Sequence, residues 1–194
     1  MALRMFETPT DFAYALANLP TADRAAQDAA RARQAELTKP AGSLGRLEDI
    51  AVHLAAWRGG DASAHKISAE TIKVVIFAGN HGVVMQGVSA YPADVTAQMV
   101  GNFKAGGAAI NALTTAFGLS LDVIPLDLDK PTADMTEAPA MTQNETLAAL
   151  NVGAAAVSDD LDLLCLGELG IGNTTVAAAL AGGCFGGCGG VWGG

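Results

Sequence analysis

Half of the 194 residues are hydrophobic and only 16% are charged, which supplies a sizeable core and excludes global disorder. A formal charge of -9 leaves no basic patch to neutralise phosphates, so nucleic acid is excluded as a partner. The chain has no charged-then-apolar leader and no apolar run near the roughly 18–20 residues of a membrane span, so no membrane partner is expected and a cytoplasmic location is.

Length points to one domain, or one and a fraction. Cys165, Cys184 and Cys188 make no disulfide framework, and Cys165, inside an apolar run, reads as a small core residue. Cys184 and Cys188 flank Phe-Gly-Gly but have no second ligand pair nearby. His53, His65 and His81 are scattered singly, so neither a metal nor any other cofactor is expected.

In chain order, Thr8-Pro9-Thr10-Asp11 opens a helix to about Leu19, with Thr as cap and Pro at the first position. Thr21 to Thr38 reads as a second, alanine-rich helix, broken by Lys39-Pro40-Ala41-Gly42-Ser43. Leu44, Leu47, Ile50, Ala51, Leu54 and Trp57 recur at helical spacing and predict a third helix. Gly59 to Glu70 is a polar linker.

Thr71 to Phe77 is β-branched and apolar and predicts a buried strand. Ala78-Gly79-Asn80-His81-Gly82-Val83 follows as a loop, extended by Gly87-Val88-Ser89-Ala90-Tyr91-Pro92. Helices are expected over Asp94–Phe103 and Ala108–Phe117, then a strand over Leu119–Leu128. Thr142-x-x-Glu145 is a capping box that opens a helix to about Ser158. Leu161 to Leu166 is the third predicted strand. Strands alternating with helices of this length imply a parallel sheet with helices on both faces. After Ala181 the pattern gives way to eight glycines in the last thirteen residues, so the chain is expected to be C-terminally truncated.

Gly167-Glu168-Leu169-Gly170-Ile171-Gly172-Asn173-Thr174-Thr175, between the third strand and an alanine-rich helix, is the chemically richest stretch. A glycine turn there aims backbone N–H groups and the positive end of a helix dipole at a phosphate or carboxylate. It is neither a Walker A loop, because Asn173 stands where lysine is required, nor a dinucleotide fingerprint, because Thr175 replaces the third glycine. The alternative is a tight connection with no ligand. Asn173 also reads as an N-cap. Glu168, an acid at the end of a buried strand, is the strongest acid/base candidate.

Other polar residues carry two readings each. His81 is a site residue or a structural hydrogen-bonder. Asn80 orients a substrate or closes its turn. Ser89 lacks the context of a hydrolase nucleophile. Gln98 faces a pocket or solvent. Lys39 is a cation for an anionic substrate or a solvated helix-end lysine.

Six motifs together carry a resemblance: Lys39-Pro-Ala-Gly-Ser-Leu-Gly-Arg-Leu-Glu48, Phe77-Ala-Gly-Asn-His-Gly-Val83, Gly87-Val-Ser-Ala-Tyr-Pro92, Val95-Thr-Ala-Gln-Met-Val100, Gly106-Gly-Ala-Ala-Ile-Asn111 and Gly167-Glu-Leu-Gly-Ile-Gly-Asn-Thr-Thr175. In order and spacing, from about Thr10 to Ala181, they resemble the nicotinate-nucleotide–dimethylbenzimidazole phosphoribosyltransferases. The resemblance implies transfer of ribose 5-phosphate from nicotinate mononucleotide to 5,6-dimethylbenzimidazole, in assembly of the cobalamin nucleotide loop, by a homodimer. It also implies that Gly170, Gly172, Asn173, Thr174 and Thr175 hold the phosphate and ribose, with Glu168 beside them as a catalytic residue. Ser89, Tyr91 and Gln98 would line the benzimidazole pocket, and Asn80 and His81 would bind substrate. Two departures stand out: Asn80 replaces the aspartate of many relatives, and the family's usual base, a glutamate near the end of a longer chain, has no matching position.

The expectation is therefore an α/β protein, a three-layer α/β/α sandwich on a parallel Rossmann-like sheet with a small helical N-terminal domain. Residues 1–60 would form the helical segment and 61–194 an incomplete nucleotide-binding core. The alternative to a phosphoribosyltransferase is a fragment that binds nucleotide or dimerises without turnover.

Overall fold

The computed structural model of the chain describes residues 5–59, 67–187 and 189–192. Cys188 and His65, and much of the expected 59–70 linker, lie outside the described residues. The chain divides into two compact units, Thr10–Ser68 and the combination of Met1–Pro9 with Ala69–Gly194.

The helical unit is built on α2 (Arg24–Glu36) and α3 (Arg46–Arg58), preceded by α1 (Pro9–Ala17). Asp23 caps α2 by accepting the Ala26 amide at 3.0 Å, and its own amide donates to Ala56 O at 2.7 Å. Small side chains let the two helices approach closely: Ala26, Val52, Ala55 and Ala56 are the buried residues here. Between the helices, Lys39 is not the solvated helix-end lysine that the sequence allows. Its ammonium lies 2.6 Å from Glu48 Oε1, which also accepts the Leu44 amide, and the Lys39 side chain is only 14% exposed. Glu48 thereby pins both ends of the turn, and the Lys39 hydrogen bond, followed by the Leu44 one, holds its carboxyl below the usual range.

The second unit is a three-stranded parallel sheet, β1 (Ile72–Gly79), β2 (Ser120–Leu126) and β3 (Leu163–Leu169), in the order β2-β1-β3. β1 is central, which explains its apolar run from Val74 to Ala78: a strand covered on both faces has no polar alternation. Val75 and Ala78 are wholly buried, and Val74 and Ile76 nearly so. From β1 the chain passes through α4 (Asp94–Lys104) and α5 (Ala109–Phe117) to β2, and then through α6 (Gln143–Ala155) past β1 to β3. Right-handed crossovers in these two opposite senses place helices on opposite faces of the sheet, which makes the three layers. Phe103, Ile110 and Leu113 of α4 and α5 line the same groove as Val74 and Ile76. α6 opens with the expected capping box: Thr142 Oγ1 accepts the Glu145 amide, and Glu145 Oε2 accepts the Thr142 amide at 2.9 Å. The backbone of Phe6 joins this unit through two hydrogen bonds with the Asn151 side chain on α6.

Two expectations about the third strand are corrected. β3 begins two residues later than predicted and continues through Gly167, Glu168 and Leu169, which pair with Ile76, Phe77 and Ala78. Glycine at 167 did not end it, because parallel pairing with β1 continues there and a Cβ at 167 would already approach Ile76 Cγ1 to 3.3 Å. Cys165 is exposed rather than a core residue, and its neighbour Leu166 is 69% exposed. Among the described residues β3 is an edge strand paired only with β1, so its apolar residues lack the cover on both sides that β1 enjoys. α7 (Asn173–Phe185) likewise outlasts Ala181, running through Gly182 and Gly183, and α8 (Gly189–Trp192) follows.

Candidate active site

The order β2-β1-β3 creates a topological switch point. The chain leaves β1 to one side for β2 and later returns on its other side as β3, so a crevice opens beyond the carboxyl ends of β1 and β3. Ligands of open α/β sheets bind in such crevices. The loops that end those two strands are Asn80-His81-Gly82 and Gly170-Ile171-Gly172. The two chemically richest motifs in the sequence, about ninety positions apart, thus meet at the switch point.

They touch directly. His81 Nε2 donates to Asn173 Oδ1, the acceptor atom of that amide. This corrects the N-cap reading of Asn173. Gly172 is the N-cap of α7, with no side-chain cap, and Asn173 is the first helical residue with its side chain turned to His81.

The turn itself is compressed. Gly172 has φ +87°, in the left-handed region that favours glycine, and a Cβ there would lie 2.9 Å from Val84 Cγ2. At Gly170 a Cβ would collide with the Gly79 carbonyl oxygen, so the turn rests against the backbone at the end of β1. Within the turn the Asn173 amide donates to Gly170 O, and the Thr175 amide to Gly172 O. Ile171 N donates instead to Thr96 Oγ1 on α4, at 3.2 Å. Among the described residues the amides of Gly172 and Thr174 have no acceptor, and they stand at the positive end of α7. Such a pair of donors suits an anionic oxygen.

The β1 loop is stitched down by the connection after β2. Asn80 is buried, its Nδ2 donates to Leu128 O at 2.9 Å, and its own carbonyl accepts the Thr132 amide. Its Oδ1 is buried without a hydrogen-bond partner among the described residues. Gln86, in a short 3-10 turn after His81, donates to Asp134 Oδ2 at 2.7 Å. That bond, followed by those from Thr136, holds the Asp134 carboxyl below its usual range.

The remaining candidates sit apart from this contact. Glu168 is the penultimate residue of β3, exposed, opposite Phe77 in the register, and without a hydrogen-bond or ion-pair partner among the described residues. Thr174 is exposed and Thr175 half-buried in the first turn of α7. Ser89 accepts the Tyr91 amide at 3.2 Å, and Tyr91 is 64% exposed. The exposed Gln98 amide donates to Asp94 one helical turn away. These three residues make local contacts on and before α4, rather than contacts with His81 or Asn173.

The matching sequence profile is that of a phosphoribosyltransferase, over residues 19–189. The chain belongs to that family. It is similar to the nicotinate-nucleotide–dimethylbenzimidazole phosphoribosyltransferase of Novosphingobium aromaticivorans, with 60% identity over 97% of this chain and 55% of that protein. The enzyme of the same name from Rhodobacter capsulatus is 57% identical over 87% of this chain and 49% of its own length. Among solved structures, the enzyme from Thermus thermophilus superposes with a TM-score of 0.69 at 38% identity, covering 83% of this chain and 53% of that one. The chain spans about half the length of the curated relatives it matches.

For this member of the phosphoribosyltransferase family, sequence reasoning missed Thr96 and Thr132. Thr96 is wholly buried, and Thr132 lies beside Gly82, whose amide faces its hydroxyl. A hydroxyl among the apolar positions of a helix was the available signal for Thr96. Thr132 sits in an irregular connection that carries no periodicity to read.

Proposed function

We propose that the chain serves transfer of ribose 5-phosphate from nicotinate mononucleotide to 5,6-dimethylbenzimidazole, giving α-ribazole 5′-phosphate and nicotinate. The observation that supports this reading is the His81–Asn173 contact at the switch point, beside the Gly172 and Thr174 amides, which have no acceptor among the described residues. The names of the relatives support the substrates.

In this reading Gly170, Gly172, Asn173, Thr174 and Thr175 hold the phosphate and ribose through backbone amides and hydroxyls. The C1′–N bond to nicotinate breaks as a benzimidazole nitrogen attacks from the opposite face, and inversion turns a β-nucleotide into an α-nucleotide. Its transition state has oxocarbenium character and gains from anionic groups nearby. The pyridinium leaves as a neutral ring and needs no general acid, whereas the benzimidazole N–H proton must go to a base. Glu168, unpartnered beside the turn, contributes negative charge to the ribosyl cation or accepts that proton. Asn80 and His81 orient the substrate, and Ser89, Tyr91 and Gln98 border the benzimidazole. Residues 61–194 carry the nucleotide, and residues 1–60 form the small helical domain. Cytoplasmic location and homodimeric assembly belong to the same proposal, tested by fractionation and by light scattering. Among the described residues no helix is long and apolar enough to cross a membrane.

A second reading is binding of nucleotide, or dimerisation, without turnover. It is favoured by one fact, that relatives bearing the enzyme's name are nearly twice as long. Incubating the purified chain with both substrates and following nicotinate release separates the two. Release that requires dimethylbenzimidazole supports transfer, binding without release supports the second reading, and no binding of nicotinate mononucleotide refutes transfer and leaves only dimerisation, which light scattering tests.

A further inference from the structure

Thr96 lies in the first turn of α4, in the Val95-Thr-Ala-Gln-Met-Val100 motif, of which only Gln98 has been given a role. It is wholly buried, on a helix whose other buried residue is Val100. Burying a hydroxyl is unfavourable unless it is hydrogen-bonded. Its Oγ1 accepts the amide of Ile171, 75 residues away and in the middle of the glycine turn.

Alternate amides of that turn have different fates. Those of Ile171, Asn173 and Thr175 are satisfied inside the protein, and those of Gly172 and Thr174 have no acceptor among the described residues. Of the three satisfied ones, Asn173 and Thr175 bond to the turn's own carbonyls. Only Ile171 is held from outside, by Thr96. Fixing the direction of the Ile171 N–H fixes the orientation of the residue's backbone, and so constrains the peptide that carries the Gly172 N–H. Glycines flank it on both sides, so little else in the local chain restricts that orientation.

We infer that Thr96 is a positioning residue for the anion-binding turn: its hydroxyl holds the Ile171 amide and so aims the Gly172 and Thr174 amides at the phosphate of the nucleotide. The inference rests on the phosphoribosyltransferase reading above. Thr96 itself does not touch the substrate. Removing Oγ1 while keeping the side-chain shape leaves a half-buried N–H without its acceptor and frees the turn to rotate, so donors prearranged for the phosphate must be ordered on binding.

The test compares Thr96→Val, nearly isosteric without the hydroxyl, and Thr96→Ser, which restores it. Calorimetric titrations use nicotinate mononucleotide, inorganic phosphate and 5,6-dimethylbenzimidazole, and amide hydrogen exchange is followed at Ile171. The Val variant is expected to bind nicotinate mononucleotide and phosphate about tenfold more weakly, the loss of one net hydrogen bond. Its affinity for dimethylbenzimidazole should stay within about twofold of the parent chain's, its Ile171 amide should lose protection, and Ser should recover both losses. A Val variant that binds the nucleotide as the parent chain does overturns the inference and leaves the function standing. So does one that weakens all three ligands alike, or one that Ser does not rescue. A parent chain that binds neither nicotinate mononucleotide nor phosphate overturns the phosphoribosyltransferase reading and the inference together. An Ile171 amide equally protected in parent and Val variant sinks the inference without reference to any ligand.

Discussion

Replacing Gly172 with alanine tests whether the turn is held by compression against the β1 loop. Two separate costs apply. At φ +87° left-handed backbone costs an L-residue about 1–2 kcal/mol. The new Cβ would lie 2.9 Å from Val84 Cγ2, well inside the roughly 3.5–4.0 Å of a favourable carbon contact. Overpacking of that kind costs about 1–3 kcal/mol. The expected loss is therefore about 2–5 kcal/mol, a large share of the roughly 5–15 kcal/mol that holds an ordinary domain together. Adding Val84→Ala removes the atom that is struck but leaves φ unchanged. The double variant should recover the contact cost relative to the two single losses and retain the backbone cost. Urea unfolding of the four chains, read as midpoints at constant slope, measures the cycle. Strict additivity would refute the compression argument. A Gly172→Ala chain as stable as the parent would refute the strain argument as well.

Two further predictions concern carboxylates. Glu145 is held down to about 2 by the Thr142 amide, then by the Lys130 ammonium and the Thr142 hydroxyl. A depressed carboxyl stabilises the fold above its ordinary value near 4.5 and loses that contribution as pH falls towards about 2, so Glu145→Gln should flatten unfolding midpoints over that window. An unchanged pH slope would contradict it. Glu168→Gln, in a chain with measurable transfer, should lower nicotinate release or nucleotide affinity by about tenfold, as loss of a charge-assisted contact would. Kinetics equal to the parent's would make Glu168 a strand residue with no part in the chemistry.

How far the sequence disclosed all this differs from element to element. β1 was legible because a strand buried on both faces shows an apolar run, and α6 because Thr142 and Glu145 cap it by local rules. β3 was harder. Its apolar run looked the same as that of β1, yet Cys165 and Leu166 are exposed, since burial depends on neighbours in the sheet and not on the strand's own residues. The glycine motif was recognisable as a turn, but where it begins was not. Pairing with β1 keeps Gly167 to Leu169 in the strand, and periodicity cannot report pairing. His81 and Asn173 were each singled out by residue type and glycine context, while their contact spans 92 positions and follows only from strand order. Thr96 went unread because its partner is a backbone amide.

That long separation bears on assembly. The crevice has one wall on β1 and the other on the turn that β3 delivers, so no binding surface exists until β3 has docked along β1. Closing so long a loop carries an entropic cost that precedes the contacts offsetting it. An anion that bridges the two walls binds only the docked state, and by mass action it lengthens the life of that state. For a chain whose last described strand lies at the sheet edge, such an anion would then act as a late fastener of the fold. Occupancy of the turn would report, in one measurement, that the sheet has come together.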